Sequence, residues 1–178
     1  NGGLATLDLT VTGDGTAESI DGGDGRDQLF GLGGNDTMSG GADNDMLSGG
    51  AGGDELSGGA GDDWLLGGEG ADLIDGGEGD DVLLGGDGAD TFGWSEADLG
   101  SAGDDTVDHV DTVKGFNAGE GDTLDVATLL SDMGANAGNV ASFFQAVTSG
   151  DNVELQVDPT GTGSGWQTFA VVEDSLLA

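Results

Sequence analysis

From Gly22 to Gly93 a large apolar side chain returns every nine residues, at Leu29, Met38, Leu47, Leu56, Leu65, Ile74, Leu83 and Phe92. Two positions before each stands an aspartate: Asp27, Asp36, Asp45, Asp54, Asp63, Asp72, Asp81 and Asp90. The units read GGDGRDQLF, GLGGNDTMS, GGADNDMLS, GGAGGDELS, GGAGDDWLL, GGEGADLID, GGEGDDVLL and GGDGADTFG, with no insertion between them. A weaker unit precedes them, GDGTAESID from Gly13 to Asp21, which keeps Ile20 but carries Glu18 where the aspartate belongs. Nine residues are too few to close a core alone. A strict short period therefore predicts a solenoid in which each unit buries its apolar residue against its neighbours.

Where positions seven to nine form a short strand, alternation points position eight inward and positions seven and nine outward. Sorting the outward residues by parity separates two faces. Odd units present Gln28, Phe30, Met46, Ser48, Trp64, Leu66, Val82 and Leu84; even units present Thr37, Ser39, Glu55, Ser57, Leu73, Asp75, Thr91 and Gly93. A contiguous apolar patch is normally covered or used for binding. The expectation is that the C-terminal region folds over the odd face and buries Trp64; the alternative is that the patch docks a preceding domain.

Charge changes the picture. The 178 residues carry 36 acidic side chains against two basic ones, a formal charge of −34, together with 40 glycines and no cysteine. With only Arg26 and Lys114 the chain cannot neutralise phosphates, which excludes nucleic-acid binding and attraction to anionic membranes. No apolar run is long enough for membrane insertion, and no cationic segment followed by an apolar one marks a signal peptide at the N-terminus. The lack of cysteine excludes disulfides and thiolate metal sites. Such self-repulsion and so many glycines oppose ordinary core formation. Low hydrophobicity with high charge would by itself indicate disorder, yet a register kept through eight units at two unlike positions argues for a fold completed by cations.

The residue types name the cation. Aspartate offers hard anionic oxygens, and glycines at positions one, two and four are expected to allow positive φ angles and to aim carbonyl oxygens inward. Ca²⁺ takes about six to eight oxygen ligands at roughly 2.3–2.6 Å, carbonyls included, whereas Mg²⁺ holds its waters and Zn²⁺ prefers nitrogen or sulfur. Leu32 replaces the glycine of position two and Asp43 that of position four. Looser turns are expected at these two places.

GGxGxD followed by an apolar position closely resembles the repeats-in-toxin (RTX) nonapeptide of type I secreted proteins. The resemblance implies a mainly all-β fold, a right-handed parallel β-roll in which six residues form a turn and three a strand, so that two units make one coil. It also implies that each calcium ion sits between stacked turns of the same parity. The position-six aspartates pair as Asp27 with Asp45, Asp45 with Asp63 and Asp63 with Asp81 on one edge, and Asp36 with Asp54, Asp54 with Asp72 and Asp72 with Asp90 on the other. About six ions follow, enough to lower −34 to about −22, with partial sites at the ends involving Glu18 and Asp111. By the same resemblance the remaining ligands come from position one (Gly22, Gly31, Gly40, Gly49, Gly58, Gly67, Gly76, Gly85) and position three (Asp24, Gly33, Ala42, Ala51, Ala60, Glu69, Glu78, Asp87).

Periodicity stops after Phe92. A lead-in over 1–12, a roll over 13–93 and a β-rich cap with short helices over 94–178 are the expected divisions. The stretch DTVKGFNAGEGDTLDVATLL, Asp111 to Leu130, resembles one that follows such arrays, with Gly115 where aspartate is common; Asp111, Glu120, Asp122 and Asp125 are positioned to cap the last turn. Ala127 to Asp132 and Asn139 to Val147 read as short helices. Val153 to Val157 and Trp166 to Glu173 read as a hairpin across DPTGTGSG. The ending VVEDSLLA is similar to the uncleaved secretion signals of the family.

Catalytic chemistry has little to stand on. His109 is the only histidine and no serine lies in a G-x-S-x-G elbow, so nucleophilic catalysis lacks its base and its context. The chain is therefore expected not to be an enzyme. The reading is a monomeric, secreted calcium-binding module that folds on meeting calcium outside the cell and works with the type I secretion machinery, as part of a large adhesin. The alternative is an accessory module of a secreted protease, lipase or polysaccharide epimerase that binds acidic polysaccharide through calcium. Ice or surface binding by outward threonines is weakened by the lack of a regular threonine ladder.

Overall fold

The computed structural model describes residues 7–95, 98, 109–132, 144–158, 162–163 and 165–173. Ten strands wind through the repeat: β1 (Thr10–Thr12), β2 (Ser19–Asp24), β3 (Gln28–Gly33), β4 (Thr37–Ala42), β5 (Met46–Ala51), β6 (Glu55–Ala60), β7 (Trp64–Glu69), β8 (Leu73–Glu78), β9 (Val82–Asp87) and β10 (Thr91–Gly93). They are followed by β11 (Asp111–Lys114), β12 (Thr123–Asp125), α1 (Ala127–Asp132), β13 (Phe144–Ser149), β14 (Asn152–Val157) and β15 (Gln167–Glu173).

The strands sort by parity into two sheets. One runs β1-β3-β5-β7-β9-β11-β15-β14-β13, the other β12-β10-β8-β6-β4-β2. Within the roll every pairing is parallel and displaced by eighteen residues, as in Leu47↔Leu65 and Leu56↔Ile74. The fold is thus a parallel β-solenoid with almost no helix, as the nine-residue period implies. Strands β2 to β9 are longer than three residues: each runs from position seven through position three of the next unit, with position one unpaired at a bend, so Phe30↔Ser48 is followed by Leu32↔Gly50. Only positions four to six turn the corner.

Position eight of both sheets fills the interior. Leu29, Leu47, Leu65, Ile74, Leu83 and Phe92 are fully buried, Met38 and Leu56 nearly so, and Ile20 of the weak unit joins them. Each such side chain contributes about 1.5–3 kcal/mol by leaving water. The core continues into the cap through Val113, Leu129, Leu155, Val157, Phe169 and Val172. Trp94 plugs the end of the roll, meeting the Phe169 ring edge-on with centroids 5.6 Å apart.

Two expectations are overturned. Trp64 is 51% exposed, with Met46 at 43% and Leu66 at 36%. The cap does not lie over the odd face; it lengthens the odd sheet at its end, β11 pairing with β9 and β15 with β11. The reason is that a sheet edge offers unmet backbone donors and acceptors, which bind a further strand more strongly than scattered apolar side chains do. The helix expected over Asn139–Val147 is also wrong where it is described: Phe144–Ser149 is strand β13, antiparallel to β14, and 139–143 lie outside the described residues. Tertiary pairing outweighs the Asn139 N-cap signal. The helix at Ala127–Asp132 and the β14/β15 hairpin stand where the sequence places them, while much of the turn between the hairpin strands, and 174–178 of the ending, lie outside the described residues.

Leu32 and Asp43 adopt φ values of 76° and 72°. The two residues accept the left-handed conformation that glycine holds elsewhere in the roll.

Candidate metal centre

Every turn is tied to the preceding coil through its position-six carboxylate. Oδ1 of Asp45 accepts the Asp27 amide at 2.7 Å, and the same bond joins Asp45 to Asp63, Asp63 to Asp81, Asp36 to Asp54, Asp54 to Asp72 and Asp72 to Asp90. The sequence-predicted partners therefore do meet, as backbone donor and carboxylate acceptor. At the start, Leu9 donates to Asp27 and Glu18 to Asp36.

The other oxygen has nothing. Oδ2 of all eight repeat aspartates, and Oε2 of Glu18, are buried without a hydrogen-bond partner. An unmet buried carboxylate oxygen is costly, about 1–3 kcal/mol or more for a charged group. The position-one glycine shows what belongs beside it. A Cβ on Gly22 would lie 2.3 Å from Asp27 Oδ2 and 2.6 Å from the Gly40 carbonyl oxygen of the following coil. The corresponding point recurs at Gly31, Gly40, Gly49, Gly58 and Gly67, and at Gly13 with Glu18 Oε2 at 2.2 Å and the Gly31 oxygen at 2.6 Å. These separations match Ca²⁺–O distances of about 2.3–2.6 Å. The expectation that position one needs a positive φ is corrected: positions two and four have it, as in Gly59 and Gly61, and position one does not. Glycine is required there because a side chain would fill the cation's place.

Among the described residues no three acidic or histidine side chains converge as a ready-made metal cluster. Each point combines one carboxylate oxygen with backbone carbonyls, a hard all-oxygen donor set that fits calcium. The position-three carbonyls are arranged differently from position one. Those of Ala42, Ala51, Glu69, Glu78 and Asp87 accept the amides of Gly25, Gly34, Gly52, Gly61 and Gly70, which leaves each a second lone pair. Asp24, Gly33 and Ala60 occupy the same position-three register. Gly76 and Gly85 would place a Cβ beside Asp81 and Asp90 Oδ2 in the last two turns.

Burial and the neighbouring carboxylates raise the acids. Asp63 and Asp81 are pushed up to about 7 and Asp72 to about 6, chiefly by desolvation; Asp45, Asp54 and Asp90 move the same way. A cation beside these groups would favour their ionised form.

Two rungs beyond the repeat were only half legible. The strand registers Thr112↔Val82 and Thr123↔Thr91 put Asp111 and Asp122 at position six. Their Oδ1 atoms accept the Asp81 and Asp90 amides at 3.1 and 3.0 Å. The apolar Val113 and Leu124 two residues later are the signal that marks them. Asp125 instead accepts the Ala127 amide at the start of α1, Glu120 is exposed, and His109 lies 4.0 Å from Asp80.

Comparison with known families matches the RTX calcium-binding nonapeptide repeat (4 copies) at residues 12–47, 21–56, 48–83 and 57–92. Among solved structures, the AlgE6R3 subunit of the Azotobacter vinelandii mannuronan C5-epimerase is 31% identical with a TM-score of 0.51, over 74% of this chain and 71% of that one. The chain belongs to the RTX calcium-binding repeat family. It is a calcium-binding RTX repeat domain with a β-roll fold, related to the repeat subunit of that epimerase. No curated protein sequence matches the chain.

Proposed function

We propose that this RTX roll is a calcium-gated folding module that supports export: unfolded where calcium is scarce, folded where it is plentiful. The observation that supports it is the row of buried, partnerless Oδ2 atoms, of which those from Asp27 to Asp72 face a carbonyl of the next coil at the point where a Cβ would stand. Asp27, Asp36, Asp45, Asp54, Asp63, Asp72, Asp81 and Asp90 with the position-one and position-three carbonyls hold the ions, and Glu18 holds one in the weak first unit.

Without the ions, −34 of net charge and flexible glycines keep the chain open. With them, binding free energy becomes folding free energy. Extracellular calcium modules work at about 10⁻⁴–10⁻³ M, so a type I channel would carry the open chain and folding outside would oppose its return. The molecule to which the roll belongs is then secreted. Likeness to an epimerase subunit favours the accessory module of an extracellular enzyme over the adhesin reading.

Circular dichroism of the chain in chelator and in millimolar calcium tests this. A β-rich spectrum is expected only with calcium, and a folded spectrum in chelator would overturn it.

A further inference from the structure

The ladder of position-six carboxylates ends differently from the way it runs. In the eight repeat units Oδ2 has no protein partner. In the two rungs that follow, it has one on each edge. Trp94 Nε1 donates to Asp111 Oδ2 at 2.6 Å, and the Asn117 amide donates to Asp122 Oδ2 at 2.7 Å. Both aspartates keep the Oδ1 bond to the preceding coil, so they copy the repeat's carboxylate ladder while their Oδ2 atoms are met by the protein.

Trp94 is 3% exposed, and its ring lies edge-on to Phe169 of β15, which fixes the direction of its N–H. Asp111 is equally buried. The donor at Asp111 is therefore a rigid side chain from the segment leaving the roll, brought back to the next coil on the opposite edge. We propose that Trp94 stands in for the ion at the last rung of the odd edge, and Asn117 at the last rung of the even edge, so that the calcium lattice ends in hydrogen bonds supplied by the protein. Asp111 is then a structural rung and not an ion ligand. Asp111 and Asp122 present Oδ1 to Asp81 and Asp90, and so form a ready surface against which the final ion-binding turns assemble. This rests on the calcium reading above.

The test uses the whole chain and calcium alone, counted by equilibrium dialysis. Asp81→Asn should remove one ion from the wild-type count; Asp111→Asn should remove none. A count that falls for Asp111→Asn overturns the proposal while leaving the calcium reading intact, whereas wild-type protein that takes up no calcium overturns the calcium reading itself. A second measurement separates the N–H from mere packing. In saturating calcium, Trp94→Phe and Asp111→Asn should each raise the unfolding equilibrium constant about 10-fold, as expected for losing a hydrogen bond to a buried carboxyl group. The double variant should be no worse than the more damaging single one. Additive effects would mean that the indole N–H and Asp111 act separately, and would overturn the proposal.

Discussion

A methyl group on Gly58 would stand 2.3 Å from Oδ2 of Asp63, and 2.4 Å from the carbonyl oxygen of Gly76 one coil further on. Gly58 has no positive φ, so alanine there meets no left-handed backbone strain, and its methyl collides with the two oxygens that flank the proposed ion's place. Gly58→Ala is expected to lower the calcium count by one while the other coils still fold at higher calcium. Gly70→Ala differs in kind: its Cβ would fall 1.8 Å from the Gly52 oxygen, at a φ of 134°, and the roll should be disrupted at any calcium concentration. Gly93→Ala, with nothing within 4 Å, is the control. Dialysis counting with circular dichroism distinguishes the three.

Asp63→Asn keeps an Oδ1 able to accept the Asp45 amide but removes the charge opposite the Gly76 carbonyl. One ion should be lost and the calcium midpoint for folding should rise. An unchanged count would contradict the assignment of Oδ2 as the ligand.

Burial raises Asp63 and Asp81 to about 7 from 3.8, and Asp72 to about 6. A carboxyl whose pKa is higher folded than unfolded binds its proton more tightly in the fold. Its contribution without calcium is therefore full below about pH 4 and is lost as pH rises through 6 to 7. Calcium needs the ionised form and must displace those protons. Calcium-driven folding is expected to need progressively less calcium from pH 5.5 to 7.5 and to release protons in a pH-stat; a midpoint independent of pH would speak against it.

Leu32 holds a φ of 76° while 54% of its surface stays exposed. Its side chain thus gives back little for a conformation that costs a non-glycine residue about 1–2 kcal/mol. Leu32→Gly should stabilise the calcium-bound roll by about 1 kcal/mol in urea denaturation.

Trp64 and Leu65 are neighbours with opposite fates. Leu65 is fully buried and Trp64 half exposed. Leu65→Ala should cost about 2–5 kcal/mol, while Trp64→Ala should stay within about 0.5 kcal/mol. A large loss at Trp64 in urea denaturation would mean that the odd face is covered after all.

The roll was legible because the residues six and eight places into each nonapeptide are fixed by local needs: Asp45 or Asp81 must face its neighbour, and Leu47 or Leu83 must enter a narrow core. Such constraints repeat, and repetition exposes them. What joined the roll to its cap was less legible because it depends on single contacts between distant segments. Asp111 follows Asp81 by 30 residues and Asp122 follows Asp90 by 32, so the eighteen-residue step that identifies the earlier rungs no longer applies. The strand at Phe144–Ser149 was misread for a similar reason: its partner β14, and not its own pattern of side chains, decides its conformation. Trp64 was expected to be buried because apolar surface invites cover, but where the cover goes is settled by the open edge beyond β9, which no local pattern records.

Because strands pair at a distance of eighteen residues, the odd and even sheets are written in alternate words of the sequence. Loss or gain of a single nonapeptide would leave every cradle chemically intact, yet it would send each downstream outward residue to the opposite side. Trp64 and Leu66 would then exchange places with the glutamates, serines and threonines of the other sheet. Pairs of units can be copied or deleted freely with respect to surface identity; single units cannot. The inheritable module of this architecture is therefore the complete coil.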